Sequence, residues 1–263
     1  MSSHREPALL DLRNVTVMRG AKAILKDFSL RIGSGEHVAI LGPNGCGKST
    51  LIKTITRECY PLAMDGSSMT ILGKARWDVS RLRSMLGIVS NDLMTLCTSH
   101  TSGRDLVLSG FFSSTGVFSH HRVTAQQQKE ADAVLARLQI SHLADRAVAD
   151  MSSGEARRVL IARALVHKPK ALLFDEPGNS LDVFARHSLH ETMRSLAQAG
   201  TGIILVTHDL ADVIPEVDRI LLMSDGKIVA DGPKQQMLQP ALLESVFGIK
   251  AEVARHDGYY HLW

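Results

Sequence analysis

Two short apolar runs of β character open the chain, residues 9–17 and 24–32, and in the second Phe28, Leu30 and Ile32 alternate with polar neighbours as in a half-buried strand. Val38, Ala39, Ile40 and Leu41 form instead a continuous apolar run, the pattern of a strand covered on both faces of a parallel sheet. Similar runs at 172–174, 203–206 and 220–223 each stand near a helical segment, so strand and helix alternate as in an α/β sheet. Between about residues 99 and 167 the period lengthens. Apolar residues recur at helical spacing in 106–112, 125–138 and 159–166, which predicts a helical insertion into the α/β core, with a Ser- and His-rich loop at 112–124.

Composition narrows the picture only slightly. The 263 residues are 44% hydrophobic and 22% charged, ordinary values for a globular chain able to bury a core. A formal net charge of +3, from 30 basic and 27 acidic residues without a long basic block, gives no sign of a nucleic-acid or lipid tail. No apolar stretch approaches the roughly 20 residues that cross a bilayer, and the first residues lack the apolar core of a signal peptide, so the chain is expected to stay in the cytoplasm. Cys46, Cys59 and Cys97 form no CxxC pair and are expected as reduced thiols. The histidine pairs His120–His121 and His187–His190 have no carboxylate or thiolate at obvious ligand spacing and are expected on solvated faces.

The chemistry is concentrated in a few segments. Gly42, Pro43, Asn44, Gly45, Cys46, Gly47, Lys48 and Ser49 match GxxxxGK[ST], directly after the apolar run 38–41 and opening a helix at Ser49 and Thr50. In that context glycines let backbone N–H groups turn inward, and with the positive end of the helix they make a concave anion site. Lys48 is placed to reach the β and γ phosphates of a nucleotide, and the Ser49 hydroxyl to ligate Mg²⁺. The bland alternative is a Gly-rich turn with a surface lysine. A second segment, 171–176, is an apolar strand ending in Asp175 and Glu176, at the strand end where ligands of open α/β sheets gather. Asp175 suits a magnesium ion held through water, and Glu176 suits polarisation of an attacking water.

Further segments carry a family resemblance that runs over nearly the whole chain. Met151-Ser152-Ser153-Gly154-Glu155 resembles the LSGGQ signature of ABC-type ATPases, with Ser152 and Gly154 matching and Ser153 and Glu155 departing from the usual Gly and Gln. It opens the predicted helix 155–167 with a hydroxyl-bearing small-residue turn, so that its amino end can face a γ-phosphate. His208 resembles the family's switch histidine at a strand end, and Asn179-Ser180-Leu181-Asp182 its D-loop. Asn91 stands where the family usually has a metal-ligating Gln, one methylene longer. Arg19 stands where it usually has an aromatic residue stacked on adenine, and a guanidinium plane can also stack on a base.

The resemblance implies an α/β, P-loop NTPase (RecA-like) core with an N-terminal antiparallel β subdomain and an inserted α-helical subdomain. Residues 1–263 are then a single nucleotide-binding domain, with 1–98 and 168–263 as the core and 99–167 as the insertion. It implies ATP and Mg²⁺ as cofactors. Glu176 and His208 are the implied catalytic residues. Nucleotide contacts are implied at Arg19, Gly42 to Thr50, Ser152, Gly154, Glu155 and Asp182, and metal contacts at Ser49, Asp175 and Asn91. It also implies a homodimer around two nucleotides, separate integral membrane subunits, and a substrate-binding protein reached indirectly, with no nucleic acid expected. Such a subunit works peripherally, on the cytoplasmic face of the inner or plasma membrane. Residues 104–110 and 246–249 look most like ATPases of siderophore, cobalamin and molybdate-type importers. The alternatives are a soluble ABC ATPase acting on ribosomes or nucleic acid, which usually carries two such domains or long heptad coiled coils, and an ATP-binding regulator without turnover. Cys46 lies beside Lys48 and a helix amino end, an environment expected to lower a thiol pKa, so that its alkylation is expected to block nucleotide binding; the bland alternative to a redox role is a small residue that fits the loop.

Overall fold

Most apolar runs become strands within two residues of the expected bounds. The computed structural model describes residues 7–97, 101–250 and 252–263; the expected start of the helical insertion near residue 99, and the first six residues of the segment searched for a signal peptide, lie outside the described residues. The strands are β1 (Leu10–Arg19), β2 (Lys22–Ile32), β3 (His37–Leu41), β4 (Ser68–Ile71), β5 (Leu86–Ser90), β6 (Ala171–Asp175), β7 (Gly202–Thr207), β8 (Arg219–Ser224), β9 (Lys227–Pro233), β10 (Val253–His256) and β11 (Tyr259–Leu262). The helices are α1 (Lys48–Ile55), α2 (Val79–Met85), α3 (Asn91–Leu96), α4 (Gly103–Ser109), α5 (Ala125–Arg137), α6 (Ser153–Leu165), α7 (Val183–Gln198), α8 (Lys234–Met237) and α9 (Pro240–Phe247). They fall into two units, one made of the residues up to Val79 with Gly202–Trp263, the other of Ser80–Thr201.

In the first unit an antiparallel sheet has the order β2-β1-β4, with Leu10 opposite Ile32, Leu12 opposite Leu30 and Val15 opposite Phe28. These pairs are all buried, which is what the alternation in 24–32 requires. Register shifts along β1 mark bulges where the alternation breaks. A second sheet runs β7-β3-β8-β9. Strand β3 pairs in parallel with both β7 and β8 and β9 closes the edge antiparallel to β8. All of β7, the segment Val38 to Leu41 of β3 and Ile220 to Met223 of β8 are buried, as their unbroken apolar character demands.

The second unit packs helices α4, α5, α6 and α7 with the parallel pair β5-β6. Helix α6 is covered on nearly all sides, from Ala156 to Leu165. A Cβ on Gly87 would meet the Ala164 carbonyl oxygen at 2.8 Å, and one on Gly110 the Arg163 carbonyl oxygen at 2.7 Å, so β5 and the end of α4 approach α6 at backbone distance. The buried Arg163 donates to Ser109 Oγ and the Ser114 carbonyl, which holds the start of the 112–124 loop. In that loop His121 stacks on Phe112 at 4.1 Å and the exposed His120 on Phe118. His187 is exposed. His190 corrects the expectation of a solvated face: it is 6% exposed, because α7 turns the Leu189, His190 and Met193 face inward.

Candidate nucleotide site

The first unit builds the phosphate loop at the carboxyl ends of parallel strands. Leu41 and Thr207 are register partners in β3 and β7, so the chain leaves the two strands at one level, as Gly42 on one side and His208 on the other. From Gly42 the loop turns through Gly45 (φ 81°) and Gly47 (φ 113°) into α1, whose N-cap Gly47 gives no side-chain cap and whose first turn has no acidic residue. The first N–H groups of α1 are thus left for an anion. Lys48 is 6% exposed and folds back, its Nζ donating to the Gly42 carbonyl at 2.7 Å and the Pro43 carbonyl at 3.2 Å. This holds the ammonium over the loop. Asn44, Gly45 and Ser49 are exposed, while Pro43 and Thr50 are half-buried.

The loop is clamped from two sides. Gly226 N–H donates to the Cys46 carbonyl at 2.9 Å, and Lys26 N–H to the Gly226 carbonyl at 3.1 Å. A Cβ on Gly47 would meet Leu25 Cδ2 at 3.2 Å and one on Gly42 the Met223 carbonyl oxygen at 2.4 Å, so β2 and β8 wall the loop at contact distance. Gly226 belongs to the same constellation and was not singled out from sequence. Its signal was there: Asp225-Gly226 between apolar runs is a two-residue hairpin sequence, and both residues have positive φ, 48° and 79°.

Cys46 overturns the expectation of an activated thiol. It is 5% exposed, and burial pushes the thiol up by more than nearby Lys48 draws it down. Arg19 lies exposed at the end of β1, paired with Lys22 across the β1-β2 turn. Beyond His208, the Asp209 N–H donates to Thr207 Oγ1, which donates to Asp212 Oδ2. These bonds fix the chain on either side of the histidine.

The second unit gathers the other candidates. Ser90 and Asp175 are register partners in β5 and β6, so Asn91 and Glu176 emerge side by side. Asn91 Nδ2 donates to the Glu176 carbonyl at 3.4 Å. Glu176 has φ 48°, a left-handed conformation that costs a non-glycine residue about 1–2 kcal/mol. At the start of α6, Ser152 and Glu155 form a capping box: Ser152 Oγ accepts from Glu155 N–H at 3.3 Å and Glu155 Oε2 from Ser152 N–H at 2.7 Å. The Ser152 bond and then nearby Arg146, 3.1 Å from Oε1, hold the Glu155 carboxyl below the usual carboxylate range. Gly154 meets α7 closely, since a Cβ there would lie 2.8 Å from that of Ala185. Asp182 caps α7 by accepting from Ala185 N–H at 2.7 Å. Ser152 and Asp182 are exposed, and Asp175, Glu176, Asn91, Gly154 and Glu155 half-buried.

Residues 25–179 match the family described as "ABC transporter". The chain belongs to that family. It is 30% identical over 256 residues to an uncharacterized ABC transporter ATP-binding protein, YmeB, of Lactococcus lactis, covering 96% of this chain and 97% of the relative. It is 32% identical over 253 residues to the hemin import ATP-binding protein HmuV of Aliivibrio fischeri, covering 94% and 93%. Its fold superposes with a TM-score of 0.76 on cbiO1 from Clostridium perfringens, described as part of the ABC transporter complex cbiONQ, at 27% identity over 91% of this chain and 94% of that one. The protein is therefore the ATP-binding, ATP-hydrolysing subunit of an ABC transporter, with the P-loop NTPase fold. The ribosome- or nucleic-acid-acting alternative loses to this reading, because the relatives are named as transporter subunits.

Proposed function

We propose that this ATPase powers import of a metal chelate, cobalamin or an oxyanion through separate membrane subunits, working as a homodimer that closes around two MgATP on the cytoplasmic face of the membrane. One observation carries the chemistry: the Leu41–Thr207 register, which sends the Lys48-bearing loop and His208 out of adjacent strands at one level. Support for the cargo class is the similarity to hemin import ATP-binding proteins over nearly the full chain.

In this reading the amides from Gly42 to Thr50 and the Lys48 ammonium hold the β and γ phosphates, and Arg19 stacks on the base. Ser49 and Asp175 offer a hydroxyl and a carboxylate, hard oxygen donors of the kind Mg²⁺ takes while keeping several waters, so these two residues fit the ion. The expected metal contact of Asn91 is corrected, because its Oδ1 already accepts from the cationic Arg157 guanidinium. When bound, that ion supplies charge neutralisation at the phosphates. Glu176 orients and polarises the attacking water, and His208 contacts the γ-phosphate. From the second copy, Ser152 and Gly154 present the amino end of α6 to that phosphate, Glu155 holding the turn, while Asp182 lies at the seam. Residues 99–167 act as a helical subdomain inserted between 1–98 and 168–263, and with the segment after Asn91 form the docking surface for the membrane subunits, through which a substrate-binding protein is reached.

The test is capture of the tagged full chain from detergent-solubilised membranes, with mass spectrometry of what comes with it. A multi-span membrane protein is expected; ribosomal proteins or DNA in its place would overturn the proposal.

A further inference from the structure

The side-chain amide of Asn91 is engaged at both ends. Its Nδ2 donates to the Glu176 carbonyl at 3.4 Å, and its Oδ1 accepts from the Arg157 guanidinium. A carbonyl only accepts and a guanidinium only donates, so the two partners select the same amide orientation; the flipped amide would set donor against donor and acceptor against acceptor. Arg157 is 5% exposed in α6, so its guanidinium is anchored in the packed interior. At the other end of the link, the Glu176 carbonyl also accepts from Asn179 N–H at 3.2 Å, and the Glu176 backbone is left-handed. Such a conformation persists where its surroundings over-determine it.

We propose that Arg157 is a positioning residue for ATP hydrolysis: through Asn91 it ties α6, whose amino end carries Ser152 and Gly154, to the backbone of Glu176, and so fixes where the Glu176 carboxylate points. The inference rests on the reading of Glu176 as the residue that polarises water. The link is polar and directional. A shift of α6 moves the guanidinium, the guanidinium moves the amide, and the amide bears on a strained peptide next to the carboxylate. The sequence separation of 66 residues between Asn91 and Arg157 hides the pair from any local pattern.

The test is steady-state ATP hydrolysis by the full chain, with kcat and KM resolved and thermal unfolding measured alongside. The variants are Asn91→Asp, Asn91→Ala, Arg157→Gln and the double variant Asn91→Ala with Arg157→Gln, with Glu176→Gln as control. Asn91→Asp keeps an acceptor for Arg157 but turns an oxygen toward the Glu176 carbonyl oxygen. It is expected to unfold no earlier than wild type yet to lose roughly tenfold or more in kcat, with KM within about twofold. A purely structural role predicts the reverse, full kcat in the variant that keeps the Arg157 pair. Asn91→Ala and Arg157→Gln are expected to lose similar amounts, and the double variant no more than the worse single one, because the two side chains act as a unit. Should Arg157→Gln fail to fold, the two Asn91 variants decide. Wild-type kcat in Asn91→Asp, or multiplying losses in the double variant, would overturn the proposal. Wild-type turnover in Glu176→Gln removes the reading of Glu176 itself; an inactive Glu176→Gln beside unaffected Asn91→Asp and Arg157→Gln removes only the inference about Arg157.

Discussion

Gly226 shows how much of the phosphate loop depends on residues far from it. A Cβ there would sit 1.9 Å from the Ile24 carbonyl oxygen, and its φ of 79° already disfavours a side chain. Its N–H and C=O meanwhile bridge Cys46 to Lys26. Gly226→Ala must therefore part β2 from the β8-β9 turn. The backbone conformation alone costs about 1–2 kcal/mol, so differential scanning calorimetry should find unfolding lowered by roughly 2 °C or more, with ATP affinity reduced too. An unchanged transition and affinity would show the clamp to be dispensable. Cys46 offers a second check at this scale. Burial raises the Cys46 and Cys97 thiols, whereas Cys59 is only half-buried, and reactivity follows thiolate fraction and access. Limited iodoacetamide treatment at pH 8 followed by peptide mass spectrometry should label Cys59 first. Labelling of Cys46 ahead of it would restore the activated thiol.

At the scale of elements, what the sequence made legible follows burial. The strands β3, β7 and β8 are covered on both faces and read as unbroken apolar runs, and α5 announced itself through the helical spacing of apolar residues in 125–138, which places Ala131 and Leu135 on its buried face. Strand β9 escaped because it lies at a sheet edge, half-buried at alternate positions and ending in Gly232-Pro233. The hairpin of β10 and β11 escaped for a similar reason, since Tyr260 is its one side chain in the buried core among the described residues. The phosphate loop was legible because its chemistry is contiguous. Gly226 was legible as a hairpin turn but not as part of the loop, and Arg157 was not legible at all, since their partners lie elsewhere in the chain.

Helix α6 gives this scale its own test. The Glu155 carboxyl is held below its ordinary value, chiefly by the bonds with Ser152, so its contribution is fully present above the unfolded carboxylate pKa of about 4.3. That contribution is lost as pH falls through the lower, folded value. Hydrogen-exchange protection of the Ser152 amide should hold from pH 7 to 5 and fall on further acidification in the wild type. In Glu155→Gln, whose acceptor does not titrate, protection should be independent of pH over that range. Acid-insensitive protection in the wild type would show that Glu155 does not hold the turn.

For the whole molecule, no helix among the described residues is long and apolar enough to cross a membrane, and the chain belongs to a family of transporter ATP-binding subunits. It carries one phosphate loop, one signature turn and one Asp175-Glu176 pair. The proposed site, which takes its loop from one copy and its signature from another, needs two chains and the nucleotide between them. The two-copy site is tested by the mass in solution of Glu176→Gln, by size exclusion with light scattering, without nucleotide and with saturating ATP and Mg²⁺. A monomer is expected without nucleotide, and a stable dimer of twice that mass with ATP. A chain that binds ATP and remains monomeric at every concentration tested would contradict it.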